Sequence, residues 1–297
     1  MRKCNLCPRH CNIDRENSKG FCGLNNYVKV ALVRPHFDEE PIISGEKGSG
    51  TIFFSGCNLK CVYCQNYDIS HNNFGKEVSD ARLAEIFKEL EQSGVHNINL
   101  VSPTPYVDNI INALKIYTPK IPIVYNTHGY DDVETIEKLK PYIDIYLTDF
   151  KYGEDELGQK YSKVNDYLEK TLLAIKKMKS NQPFDVIENG LMKKGVIIRH
   201  LVLPNHTDNS IKVLDLIKQN FGQDVILSIM AQYTPCGEAK NIDKLNRIIT
   251  KLEYKRVVSY LHANGFENGY VQELDSSGSD KIPHFNLQGV WFCFTKY

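Results

Sequence analysis

An α/β fold built on a parallel sheet is what this 297-residue chain predicts, on three observations. Short apolar strands and amphipathic helices alternate, with a strand-helix unit recurring about six times beyond residue 50. Three closely spaced cysteines follow directly on the first of those strands, at the end where parallel α/β folds place their chemistry. Seven of the nine cysteines fall within the first 64 residues, which in a chain of this size with no export signal points to metal rather than to disulfides.

Taken in order, the chain opens with Cys4, Cys7, Cys11 and, after Gly20, Cys22. This spacing predicts a small knuckle folded round a metal, and a four-cysteine site suits structural zinc or an auxiliary iron-sulfur cluster. His10 is an alternative ligand. Residues 27–43 read as a strand running into a Pro-containing connection, and Gly45, Gly48 and Gly50 mark the turn before the strand 51–54. Residues 80–94 carry Leu83, Ile86, Phe87 and Leu90 at helical spacing, with Ser79 as N-cap and Gly94 as stop. Further strands are predicted at 97–101, 121–124, 143–147, 196–203 and 224–230, with helices near 107–117, 131–140, 166–179, 209–220 and 241–261. Such alternation places helices outside a parallel sheet, and by itself allows a partial barrel or an open doubly wound sheet.

The expected organisation is an N-terminal Cys-rich element with its lead-in strand (1–45), the main α/β body (46–274) and a tail (275–297). Residues 275–280 are the most loop-like stretch. Beyond them Phe285, Leu287, Val290, Trp291, Phe292 and Phe294 are too apolar for a disordered end, so the tail is expected to dock on the body. Cys236 and Cys293 stand alone and are expected to be core or inert thiols.

Charge is balanced, with 36 basic and 36 acidic residues, so no global field points to nucleic acid or to an anionic membrane. No apolar run approaches the roughly 20 residues of a membrane span. Cysteines stand where a signal peptide would place its apolar region, and a cytoplasmic location is expected.

The chemistry-bearing stretch is Ser55-Gly56-Cys57-Asn58-Leu59-Lys60-Cys61-Val62-Tyr63-Cys64-Gln65-Asn66, with spacing C-x3-C-x2-C. Three thiolates on one tight loop suit a cubane iron-sulfur cluster, leaving one of its four irons open to a non-protein ligand. Zinc prefers a closed tetrahedral shell, which three cysteines on one loop do not supply alone.

This motif, with an aromatic residue (Tyr63) before the third cysteine, resembles that of the radical S-adenosylmethionine (radical SAM) superfamily. The resemblance implies a partial (β/α)6 TIM-type barrel, a [4Fe-4S] cluster held by Cys57, Cys61 and Cys64, and S-adenosylmethionine chelated through its amino and carboxylate groups on the fourth iron. It implies one-electron chemistry in which the cofactor's carbon-sulfur bond is cleaved homolytically and a 5′-deoxyadenosyl radical abstracts hydrogen from a substrate. Much of the chain is similar to relatives of pyruvate formate-lyase activating enzyme. That subgroup implies a glycyl residue of a partner protein as substrate and a flavodoxin- or ferredoxin-type electron donor; a small molecule or RNA as substrate, or a non-catalytic iron-sulfur module, are the alternatives.

Strand ends carry the remaining candidates. Ser102-Pro103-Thr104-Pro105 stands where the superfamily has a Gly-Gly-Glu type motif for the cofactor's amino group, leaving Ser102 and Thr104 as candidate contacts, or else a Pro-rich helix entry. Asn126-Thr127-His128-Gly129 is similar to the Asp-Thr-Asn-Gly stretch of the activating enzymes, so Asn126 and Thr127 are aligned with cofactor positions. Asp149-Phe150-Lys151 is similar to their Asp-x-Lys segment, implying that Asp149 meets a polar part of the cofactor and Lys151 its carboxylate. Ile197-Ile198-Arg199-His200-Leu201-Val202-Leu203-Pro204 aligns Arg199 with a cofactor-binding arginine. An arginine in so apolar a run needs a buried anion, either that carboxylate or an acidic side chain of the chain itself. Tyr233 stands where the activating enzymes have a histidine.

Overall fold

A computed structural model describes residues 3–274 and 283–291. The expectations for residues 275–280, Phe292, Cys293 and Phe294 lie outside the described residues.

The elements in chain order are β1 (Val28–His36), α1 (Pro41–Ser44), β2 (Ser49–Phe54), α2 (Tyr67–Ser70), β3 (Lys76–Val78), α3 (Asp80–Ser93), β4 (Ile98–Val101), α4 (Val107–Ile116), β5 (Ile123–Thr127) and α5 (Val133–Leu139). There follow β6 (Ile145–Asp149), α6 (Asp155–Ser162), α7 (Tyr167–Asn181), β7 (Val186–Glu188), β8 (Leu191–Leu201), α8 (Thr207–Phe221), β9 (Ile226–Met230), α9 (Lys251–Ala263) and β10 (Gly269–Val271). One mostly parallel sheet runs β10-β9-β8-β6-β5-β4-β2-β1-β3, with the stretch from β2 to β10 parallel throughout. β1 joins antiparallel to β2, so the lead-in strand and the body share a sheet.

Because strand side chains alternate between faces, each parallel strand sorts its residues into two sets. Tyr125, Tyr146, Val196, Ile198, Leu227 and Ile229 pack with the helices. Val124, Ile145, Leu147, Ile197 and Ile226 face the other way and close on Ile43 of α1, which is fully buried. Two residues further along each strand, that inner face presents Asn126, Asp149, Arg199 and Ser228. These residues line a cavity with His36, Phe53, Val101 and Tyr270, so residues of eight strands surround one space. That arrangement is consistent with a partial barrel, plugged by Ile43 at the end away from the strand C-termini.

Three features differ from the sequence expectation. The predicted helix 241–261 begins only at Lys251, where Thr250 and Glu253 form a capping box that sets a late start. β8 begins five residues before the predicted strand because Asn189 and Gly190, at φ 53° and 77°, turn β7 back onto it. α6, β10 and the short α1, α2, β3 and β7 were not predicted; Gly158 dilutes the helical signal of α6, and each of the others is three or four residues long.

From the far end of the chain, Leu287 N–H bonds to Ala31 O at 3.0 Å, Gln288 O accepts from Val33 N–H at 2.9 Å, and Phe285 meets Phe53 edge-on at 5.5 Å. No helix among the described residues is long and apolar enough to cross a membrane.

His200, on the helix-facing side of β8, is fully buried, with Nδ1 2.7 Å from Phe150 O and Nε2 2.8 Å from Ser210 Oγ. Burial pushes its pKa down to about 4, the Phe150 carbonyl opposing. The unfolded chain titrates near 6.5, so unfolding takes up a proton below that pH, and the stability present above it drains away toward pH 4. Urea unfolding is expected to show roughly 2 kcal/mol lost through this group between about pH 7 and pH 5, with a shallower loss in His200→Gln. An unchanged slope in that variant would contradict this origin.

Candidate functional site

The cysteine loop leaves β2 through Gly56, whose φ of 79° and close approach to Leu24, 2.3 Å from an added Cβ, exclude other residues. Its backbone is tied from many directions. Gly56 N–H bonds to Ile69 O at 2.7 Å, Val62 N–H to Tyr161 O at 2.9 Å, and Val62 O accepts from Ala239 N–H at 3.0 Å. Side chains add to this: Asn58 Nδ2 reaches Tyr130 O at 3.0 Å, Tyr106 Oη reaches Ser55 O at 3.0 Å, and Arg9 Nε reaches Asn58 O at 2.9 Å.

So held, Cys57, Cys61 and Cys64 all line the one cavity of about 300 Å³. Donors point at the sulfurs, with Leu59 N–H 3.4 Å from Cys57 Sγ and Ser162 Oγ–H 2.9 Å from Cys61 Sγ. Burial pushes the Cys57 thiol up to about 11 and Cys64 to about 12, and raises Cys61. A bound cation reverses that preference and draws off the protons. Among the described residues no three His, Cys, Asp or Glu side chains converge so as to hold a metal ion. Three soft sulfurs lining one space are the donor type that ligates an iron-sulfur cluster.

Of the other predicted residues, Tyr63, Ser102, Asn126, Thr127, Asp149, Lys151, Arg199 and Tyr233 share this cavity. Ser102 takes φ 57° at the end of β4, its N–H bonded to Asn126 O at 2.9 Å. Asp149 and Lys151 form an ion pair. Burial works against the ammonium, but the Asp149 carboxylate and then Cys61 outweigh it and keep Lys151 charged.

Arg199 is satisfied by the chain itself, the acidic alternative its apolar strand allowed. Its Nε bonds to Glu40 Oε1 at 2.7 Å, and Nη2 bonds to both Glu40 and Glu39. Burial disfavours the Glu40 carboxylate, yet the guanidinium outweighs this and holds its pKa below the usual range. Asn99 Nδ2 and Asn126 Nδ2 donate to Glu39 at 2.9 and 3.4 Å, completing a polar floor under the cavity.

Two residues depart from expectation. Thr104 is fully buried outside the cavity wall, its hydroxyl donating to Asp131 Oδ1 at 2.7 Å, because the tight turn at Ser102–Pro103 carries it behind the sheet. Thr127 shares that carboxylate. Tyr233 lines the cavity, but its hydroxyl is committed to the chain, donating to Leu245 O at 2.7 Å.

Sequence reasoning missed Asp38, Glu39, Glu40, His128, Ser228, Gln232 and Gln272, which also line the cavity. The signal for the acids was there: Asp38-Glu39-Glu40 precedes Pro41 directly after an apolar strand, and Arg199 required an anion. His128 accepts a bond from Tyr130 N–H at Nδ1, 3.2 Å, so its neutral ring carries the proton on Nε2.

Among the N-terminal cysteines, an added Cβ at Gly20 would lie 3.5 Å from both Cys11 Sγ and Cys22 Sγ. Cys4 N–H bonds to Ile13 O at 2.8 Å, and Cys4 O accepts from Asn12 N–H at 3.0 Å. His10 turns to Asp132 at 3.0 Å. Cys236 is buried.

A family model described as the Radical SAM superfamily matches residues 51–217. An uncharacterized protein of Methanocaldococcus jannaschii, MJ0674, is 36% identical over 271 residues, covering 87% of this chain and 74% of the relative. A second from that organism, MJ0808, is 25% identical over 233 residues, covering 72% of this chain and 65% of its own length. Among solved structures, Streptococcus suis SuiB bound to precursor peptide SuiA is similar in fold, with TM-score 0.50 and 16% identity over 73% of this chain. The match spans 46% of the SuiB chain.

Removing Arg199 leaves two carboxylates buried without their cation. Arg199→Ala is expected to lose roughly 3–5 kcal/mol of stability in chemical denaturation, more than the Asn126→Ala change beside it. Equal losses would mean that the ion pairs contribute no more than packing.

Proposed function

We propose that this chain, which belongs to the radical SAM superfamily, holds a [4Fe-4S] cluster on Cys57, Cys61 and Cys64 and cleaves S-adenosylmethionine reductively in the cavity beside it. The observation that carries this reading is the meeting of the three sulfurs, the Asp149–Lys151 pair and the inner ends of β4, β5, β6 and β8 in one space. When bound, cluster and cofactor supply one-electron cleavage of the sulfonium and hydrogen abstraction. The chain's residues bind, orient and exclude water. Lys151, kept charged by Asp149, is placed to pair with a carboxylate. Ser102 and Asn126 offer polar contacts at neighbouring strand ends, and Thr127, its hydroxyl bonded to Asp131, lines the space beside them. Arg199 with Glu39 and Glu40 forms a rigid floor, and Phe53, Val101, Leu201 and Met230 give the wall an apolar lining.

For the substrate we put forward a glycyl residue of a partner protein, with a flavodoxin- or ferredoxin-type donor in the cytoplasm. Support comes from the likeness of the Asp149–Lys151 and 197–204 segments to the activating enzymes. SuiB, similar in fold, is itself bound to a precursor peptide. We also propose that Cys4, Cys7, Cys11 and Cys22 hold a second metal, zinc or an iron-sulfur cluster, on the strength of their spacing and of the Cys11 and Cys22 sulfurs that flank Gly20.

Anaerobically reconstituted protein reduced with dithionite is expected to convert S-adenosylmethionine to 5′-deoxyadenosine, and Cys61→Ser to abolish this. A Cys61→Ser variant with the wild-type rate would refute the assignment. Metal analysis of a Cys57/Cys61/Cys64 triple serine variant is expected to find residual zinc or iron; a metal-free protein would remove the second site.

A further inference from the structure

We infer that a buried hydrogen-bond chain from Tyr63 through Tyr152 and Ser162 to the sulfur of Cys61 tunes the electron affinity of the metal site, with Ser162 as its positioning residue. The inference rests on the proposed reading that Cys61 is a cluster ligand.

Three hydroxyls form a line. Tyr63 Oη lies 2.7 Å from Tyr152 Oη, Tyr152 Oη lies 2.6 Å from Ser162 Oγ, and Ser162 Oγ lies 2.9 Å from Cys61 Sγ. Ser162 and Tyr152 are fully buried and Tyr63 nearly so. Counting protons fixes the direction of every bond. A ligating thiolate has no proton to give, so Ser162 donates to sulfur. With its one proton spent, Ser162 accepts from Tyr152, and Tyr152 in turn accepts from Tyr63. All three protons therefore point toward Cys61, and bonds so aligned polarise one another in a low-dielectric interior.

The backbone holds this arrangement from both sides. Ser162 closes α6, where Lys163 turns left-handed at φ 56°. Immediately before it, Tyr161 O receives Val62 N–H at 2.9 Å, one residue beyond Cys61. Ser162 O itself accepts from Arg9 Nη2 at 3.3 Å, the arginine that also grips Asn58 O in the cluster loop. The hydroxyl-sulfur contact is thus set by two segments bonded to each other. Lys151 and Asp149 also act on Cys61, the ammonium in the same sense as the chain and the carboxylate against it.

Donors to a ligand sulfur favour the more electron-rich state of a cluster and raise its potential. The test is an anaerobic redox titration of the reconstituted full chain, followed by the electron paramagnetic resonance of the reduced cluster. In Ser162→Ala the reduced-to-oxidised ratio at a fixed poise is expected to fall roughly threefold to tenfold, tenfold being about 59 mV for one electron. Tyr152→Phe keeps the serine donor but removes what polarises it, and is expected to fall in the same direction by less. Wild-type midpoints in both variants at unchanged iron content would overturn the inference while leaving the cluster assignment standing. A wild-type protein with no reducible cluster would overturn that assignment, and this inference with it.

Discussion

Three cysteines can serve one cavity only if the loop that carries them has no freedom of its own, and the rest of the molecule is arranged to remove it. Within the loop Cys64 N–H bonds to Cys61 O at 3.1 Å and Leu59 N–H to Cys57 Sγ at 3.4 Å; outside it the loop is held by Ile69, Tyr161 and Ala239, and through side chains by Tyr130, Tyr106 and Arg9. Each of those partners sits on a different part of the chain. The loop's conformation is therefore a readout of the whole fold, and the N-terminal segment takes part through Arg9.

Beneath the loop, burial and charge are played against each other. The inner face of the sheet is apolar at the level of Ile43 and polar one step higher, where Arg199, Glu39 and Glu40 meet. A buried guanidinium between two carboxylates stabilises little compared with a well-packed apolar layer. Its contribution is geometric, since the pairing ties the connection after β1 to the C-terminal end of β8 and fixes the cavity's depth. Asp149 and Lys151, two residues apart across the end of β6, form the second pair at the level of the sulfurs.

Most strands and most helices were legible because their signal is local: short apolar runs in the strands, helical spacing over 80–94, a cap at Ser79. The cysteine loop was legible for the same reason. Contacts between distant segments were not. The position of Asp38-Glu39-Glu40 between an apolar strand and Pro41 does not say which distant residue it meets, although the apolar setting of Arg199 demanded a partner of that kind. Nor does the sequence around Ser162 announce that its hydroxyl ends on Cys61, 101 positions away. Thr104 shows the converse: only two residues from Ser102, it is carried behind the sheet by one left-handed residue.

The central claim, a cluster with one iron left open to the cofactor at Cys57, Cys61 and Cys64, is tested most directly by magnetic resonance on the reduced protein. S-adenosylmethionine isotopically labelled at the amino nitrogen and at a carboxylate oxygen serves as the probe. Hyperfine coupling of the cluster spin to both labels is the result this account predicts. A reduced cluster that binds the cofactor yet couples to neither nucleus would contradict it.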